Sequence, residues 1–220
     1  MLQAVIFDMD GVIIDSEPMW QLAEAQVFAQ YGLDITPVLS QQTRGWRTDA
    51  VAQYWFERCD PDLVTHTSPE FIEQQLVAQV IHMIREQGQL LPGLRAAIVL
   101  ALSHQLKIGL ATSSPVQLME TVLEKFELAS LFHATCSAEF LPYGKPHPQV
   151  YLNVAQALQV DPTCCLAIED SIVGMTAAKA AQMTCLVVPE VAHQDDPRYA
   201  LADIKLNNLT ELTTSHLELK

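Results

Sequence analysis

Basic residues are scarce in this sequence. Over 220 residues, 12 Lys and Arg stand against 26 Asp and Glu, a net charge of −14 at neutral pH. A chain so acidic lacks the basic stripe that grips a phosphate backbone, which argues against DNA and RNA as partners. Long apolar runs are missing as well: none approaches the ~18 to 20 residues that span a bilayer, so no membrane helix is predicted. Cysteine is sparse and unpatterned. Cys59, Cys136, Cys164, Cys165 and Cys185 are odd in number and form neither a CxxC nor a Cys/His ligand pattern, which speaks against a disulfide framework or a zinc site. They read as reduced thiols used as small apolar side chains, with Cys164 and Cys165 flanking or opening a strand. Residues 1–17 start apolar but carry no basic leader and reach acids within ten positions, unlike a secretory signal, so a cytoplasmic protein is expected.

What is present is a hydrophobic half, enough at this length for one large core or a core carrying an insert. Three β-prone apolar runs end in residues of chemical interest: Ala4-Val5-Ile6-Phe7 before Asp8, Ile108-Gly109-Leu110-Ala111 before Thr112, and Leu166-Ala167-Ile168 before Glu169. Cys185-Leu186-Val187-Val188 adds a fourth and His133–Ser137 a fifth. Such runs fit strands covered on both faces. Leu94, Ala97, Ile98, Ala101 and Leu102, and then Val116, Met119, Val122, Leu123 and Phe126, repeat at helical spacing between them. Alternation of this kind predicts an α/β fold, a Rossmann-like open parallel sheet whose ligands sit outside the carboxyl ends of the strands. Residues 17–90 break the alternation and read as helical hairpins, punctuated by Gly32, the Thr43-Arg44-Gly45 turn and Asp60-Pro61. The predicted organisation is a core of residues 1–16 and 91–220 with an all-α lobe, 17–90, inserted after the first strand.

Asp8-Met9-Asp10-Gly11 puts two carboxylates one residue apart at a strand end. Like charges this close need a cation or a shared proton, and Mg²⁺ prefers such hard oxygen ligands together with substrate phosphate. The spacing lacks the later glycine and the final glutamate of a calcium-binding EF-hand. Three further patches fall at strand ends or in a loop between: Thr112-Ser113-Ser114, Lys145 within Tyr143-Gly144-Lys145-Pro146, and Glu169-Asp170 before Gly174. An isolated lysine is ordinarily a solvated surface charge. A Gly/Pro-framed loop between the other patches argues otherwise for Lys145.

In order and content these four motifs resemble those of the haloacid dehalogenase superfamily of phosphotransferases, over essentially the whole chain, and the helical insert resembles that superfamily's cap. The resemblance implies Asp8 as nucleophile, forming an aspartyl-phosphate, and Asp10 as general acid and base. It implies Mg²⁺ held by Asp8, Asp170 and the backbone carbonyl of Asp10, with Glu169 either a ligand or a partner of the ligands. Thr112, Ser113, Lys145 and the backbone around Met9 would bind the phosphoryl group, aided by N–H groups at the start of the helix led by Pro115.

Within the superfamily the chain is similar to sugar-phosphate phosphatases related to β-phosphoglucomutase, which implies hexose or hexitol phosphates, such as 2-deoxyglucose 6-phosphate, as substrates, and a monomer. Related mutases carry a cap histidine ten residues after the acid/base aspartate. Trp20 stands there in this chain, which favours hydrolysis over mutase chemistry. A non-catalytic binding module is disfavoured by the intact Asp8, Asp10, Lys145 and Asp170. In the insert, Arg47 and Glu17 are the residues expected to touch the sugar, while Arg44 and Trp46 read equally well as a solvated connection with an aromatic packed inward.

Overall fold

In the computed structural model, which describes residues 1–218, six parallel strands form one sheet. They are β1 (Ala4–Phe7), β2 (Lys107–Thr112), β3 (Ala134–Ser137), β4 (Cys165–Glu169), β5 (Thr184–Val187) and β6 (Ile204–Lys205), in the order β3-β2-β1-β4-β5-β6. The five apolar runs of the sequence become β1 to β5. β6 has no counterpart among the predicted strands, because two residues are too few to carry a periodicity. The core boundary drawn at residue 220 lies just outside the described residues.

Between β1 and β2 come only helices: α1 (Glu17–Ala29), α2 (Pro37–Ser40), α3 (Thr48–Phe56), α4 (Pro69–Gln87) and then α5 (Leu94–Ser103), with one short 3-10 turn. Ser68 starts α4, its hydroxyl accepting the Phe71 N–H at 3.3 Å ahead of Pro69, a first-turn residue that has no N–H to lose. α4 packs against both α1 and α3. Ile72, Leu76, Val80 and Ile84 of α4 are buried, whereas Phe71, in the same apolar pattern, is half exposed in the first turn. The remaining large helices are α6 (Val116–Lys125), α7 (Gln149–Leu158) and α8 (Ile172–Ala180).

Every residue of β1 and β4 is buried, as strands covered on both faces require. Alternate side chains serve opposite layers. Val5 and Phe7 join a cluster with Leu94 and Ile98 of α5 and Leu118 and Val122 of α6, and the apolar faces of α1, α3 and α4 continue it. Ala4 and Ile6 face a second cluster built on Val150, Tyr151 and Val154 of α7 and Met175 of α8. The strand order reverses between β1 and β4, and the crevice beyond their carboxyl ends is where such sheets take ligands.

Candidate active site

Asp8 follows β1, Ser113 follows β2, and Glu169 closes β4 with Asp170 next in the chain, so these side chains converge on that crevice. Gly11 makes the close approach possible. Its φ is +72°, and a Cβ there would lie 2.2 Å from Asp170 Oδ2. Asp8, Glu169 and Asp170 each place a carboxylate oxygen within 4.8 Å of the others. Lys145 is buried among them, 2.8 Å from Asp8 Oδ1, and donates to Glu169 Oε1 at 2.6 Å and to the Ala111 carbonyl at 3.2 Å. Glu169 has donors on both oxygens: Lys145 and the Tyr151 hydroxyl (2.6 Å) on Oε1, the Asp170 N–H and the Ser171 hydroxyl (both 3.3 Å) on Oε2.

Asp10 is gripped from three directions. Its Oδ1 accepts from the Ser16 hydroxyl at 2.6 Å and from the Trp20 indole N–H at 3.2 Å, and its Oδ2 accepts from the Ser114 hydroxyl at 2.7 Å. The second wall of the crevice comes from α1 and from the turn between α2 and α3, enclosing a cavity of about 70 Å³ that Asp8, Asp10 and Asp170 line from the core side. Two of the residues lining it each bury a side-chain oxygen without a hydrogen-bond partner: the Ser113 hydroxyl on the core side and Glu24 Oε2 on the helical side.

The residues expected from the sequence fall into two groups. Asp8, Asp10, Ser113, Lys145, Glu169, Asp170 and Glu17 are brought together at or immediately behind the cavity. Met9 and Thr112 are fully buried: the Met9 side chain packs in the core while its N–H donates to Asp8 Oδ1 at 2.7 Å, and Thr112 Oγ1 accepts the Ser114 N–H at 3.0 Å. That bond, and the one from the Val116 N–H to Glu139 Oε2 at 2.8 Å, occupy two of the N–H groups expected at the start of α6. Arg47 is turned away. It forks onto Asp49 (2.7 and 2.6 Å) and donates to the carbonyls of Leu141 (2.5 Å) and Ala138 (3.3 Å). Arg44 and Trp46 line the cavity, and Arg44 reaches Asp170 Oδ2 at 2.7 Å, Glu190 Oε2 at 2.5 Å and Glu17 Oε2 at 3.8 Å. Ser114, named in the sequence only as part of its Thr-Ser-Ser patch, and Glu24, not named at all, also line the cavity. One is the third hydroxyl of a triplet and the other a lone acid on a helix, and neither pattern separates them from solvated neighbours.

The electrostatics are those of too much buried negative charge. Burial, reinforced by Glu169 and Asp170, pushes the Asp8 carboxyl well above the usual range, and Lys145 offsets only part of it. Burial also pushes Asp170 up to about 7, against the pull of Arg44. The Lys145 ammonium is held charged: burial opposes it, but Asp8 and Glu169 together outweigh that penalty. A compact set of hard oxygen donors with excess negative charge fits a divalent cation of the Mg²⁺ kind.

A family model for haloacid dehalogenase-like hydrolases matches residues 2–182. The chain belongs to that family. Hexitol phosphatase B of Escherichia coli K12 is 46% identical to this haloacid dehalogenase-like hydrolase over 215 residues, 97% of this chain and 96% of that one. A fructose-1-phosphate phosphatase of the same bacterium is 30% identical, covering 84% of this chain and 95% of its own. Among solved structures, CbbY from Rhodobacter sphaeroides in complex with phosphate shares the fold at a TM-score of 0.87 and 24% identity, with both chains covered completely. β-Phosphoglucomutase from Clostridium difficile does so at 0.83 and 22% identity, over 99% of this chain and 96% of that one. The family and its phosphatase members make this haloacid dehalogenase-like hydrolase a phosphatase.

Proposed function

We propose that the enzyme hydrolyses hexose and hexitol monophosphates, of the 2-deoxyglucose 6-phosphate kind, through an aspartyl-phosphate on Asp8. The observation that carries this reading is the juxtaposition of a buried Asp8 against Lys145 with an Asp10 fixed by Ser16, Trp20 and Ser114 at the same cavity. The 46% identity to hexitol phosphatase B supports the class of substrate.

In the first step an Asp8 carboxylate oxygen bonds to phosphorus as the ester oxygen departs, and Asp10 gives that oxygen its proton. In the second, water attacks phosphorus, Asp10 takes a proton from it, and Asp8 is freed with inorganic phosphate. Ser113 donates its unpartnered hydroxyl to a phosphoryl oxygen, and Lys145 neutralises charge shared by Asp8 and the phosphoryl group. Asp8, Asp170 and the Asp10 carbonyl would hold Mg²⁺, which when bound supplies positive charge against the phosphoryl oxygens. Glu169, already satisfied on both oxygens, orients Lys145 and the start of α8 rather than binding the ion directly. Residues 17–90 act as a cap over the core of 1–16 and 91–220, admitting substrate when open and excluding stray water from the acylphosphate when closed.

Hydrolysis is favoured over a β-phosphoglucomutase-type transfer by Trp20, whose indole N–H can donate to Asp10 but cannot shuttle a proton. Phosphate release from a panel of sugar phosphates in the presence of Mg²⁺ tests the proposal. The expected outcome is release by the unaltered enzyme, none by Asp8→Asn, and a loss of about 10² to 10⁴ in kcat for Asp10→Asn with Mg²⁺ binding retained. Conversion of β-glucose 1-phosphate to the 6-phosphate without release would make the enzyme a mutase, and inertness in both assays would leave a binding module.

A further inference from the structure

Glu24 is out of place as a structural residue. It lies on α1 one turn beyond Trp20, on the same face, and lines the cavity from the helical wall. Only 5% of it is exposed, and its Oε2 has no partner. Buried carboxylates are ordinarily paired or fully hydrogen-bonded, and an apolar residue or a glutamine would fill the same space at lower cost. The Ser40 hydroxyl lies beside the carboxyl and favours its charged form, yet Oε2 is left without a partner.

The surroundings indicate what would satisfy it. Asp10, the donor of a proton to the leaving oxygen, shares the cavity with Asp8 and is bonded to Trp20 of α1, so the body of the leaving group is directed to the helical wall. On that wall the Thr43 hydroxyl is already used, donating to the Ser40 carbonyl at 3.1 Å and accepting from the Trp55 indole at 3.3 Å. Arg44, the cation of that wall among the described residues, is saturated by Glu17, Asp170 and Glu190. The wall thus offers a free acceptor and no free cation, a match for a neutral hydroxyl.

We propose that Glu24 recognises the leaving group, its carboxyl accepting a hydrogen bond from a hydroxyl of the sugar or polyol and so selecting hydroxyl-bearing esters over those without. This rests on the sugar-phosphatase reading and assigns its specificity to a named side chain. The two buried orphans of the cavity then divide the substrate, with Ser113 taking the phosphoryl end and Glu24 the polyol end.

The test compares kcat/KM for sorbitol 6-phosphate with that for p-nitrophenyl phosphate, whose leaving group carries no further hydroxyl, in the unaltered enzyme, Glu24→Ala and Glu24→Gln. In Glu24→Ala the ratio of the two values falls about tenfold or more, through KM for the sorbitol ester. In Glu24→Gln, whose amide oxygen still accepts, it falls by less, about threefold. If Glu24→Ala does not fold, as judged by its melting transition, Glu24→Gln carries the comparison alone. A ratio unchanged in the folded variants, or equal losses on both esters, overturns the assignment of Glu24 while leaving the phosphatase reading intact. Unaltered enzyme that cleaves p-nitrophenyl phosphate but no polyol phosphate overturns both.

Discussion

The Glu24 carboxyl has a consequence for stability as well as for specificity. Burial pushes it up to about 7, with Glu17 adding to the effect and the Ser40 hydroxyl offsetting part of it. Unfolding returns the group to its ordinary value of 4.5, so between these values the folded chain holds the extra proton and stability falls as pH rises. The cost is absent below pH 4.5 and complete above about pH 7. Replacing Glu24 by Gln removes the ionisation, and a gain on the order of 2 kcal/mol, a rise in Tm of roughly 4 to 8 °C, is expected at pH 8. Melting curves at pH 8 and below pH 4.5 check this: the advantage must vanish in acid, and an equal advantage at both would show that charge is not its source. Asp8, Asp10, Lys145 and Asp170 could be singled out in the sequence because they stand after buried strands or in a Gly/Pro-framed loop and follow the order of the motifs that carry the family resemblance. Glu24 was not, since one acid on an amphipathic helix is indistinguishable from a solvated one until the helix is docked. Arg44 and Arg47 show the same limit: three residues apart in one turn, they face opposite ways, and only the docked turn shows which one meets the cavity.

At the scale of elements, β4 and α8 act as one unit. The Ser171 hydroxyl caps α8 by accepting the Gly174 N–H at 3.1 Å, and this lays the Gly174 backbone directly against Glu169. A Cβ at Gly174 would meet both Glu169 carboxylate oxygens at 2.0 Å. Gly174→Ala therefore has to displace a fully buried carboxylate that Lys145 and Tyr151 hold in place. A loss on the order of 3 kcal/mol is expected, together with a fall in phosphate release larger than the lost fraction of folded protein explains. Chemical denaturation and the phosphatase assay on the same preparation check both parts, and a variant as stable and active as the parent would contradict this account of Gly174. The parallel sheet and the helical insert were readable from hydrophobic periodicity, which is a property of elements in isolation. The joint between β4 and α8 was not, because it depends on an interatomic distance across a turn.

For the molecule as a whole, the scarcity of basic residues becomes a matter of where the few are placed. Lys145 is buried against Asp8 and Glu169, and Arg44, in the turn between α2 and α3, bridges to Asp170 after β4 and to Glu190. The guanidinium thereby occupies a carboxylate proposed for Mg²⁺, so this ion pair and metal loading compete for Asp170. Arg44→Gln is expected to bind Mg²⁺ roughly three- to tenfold more tightly, since a competitor worth about 1 kcal/mol is gone. The rise in Tm on adding Mg²⁺ measures this: it should be larger in the variant than in the parent, and an equal or smaller rise would mean that Arg44 does not compete. The remaining acids are mostly exposed.

The three tryptophans give the crevice an optical signature. Trp20 hydrogen-bonds to Asp10 and Trp46 lines the same cavity, whereas Trp55 is sealed within the helical insert at 2% exposure. A ligand entering the cavity therefore changes the surroundings of two indoles and leaves the third as it was. The enzyme carries its own fluorescent readout of occupancy, with an internal reference, and needs no attached dye.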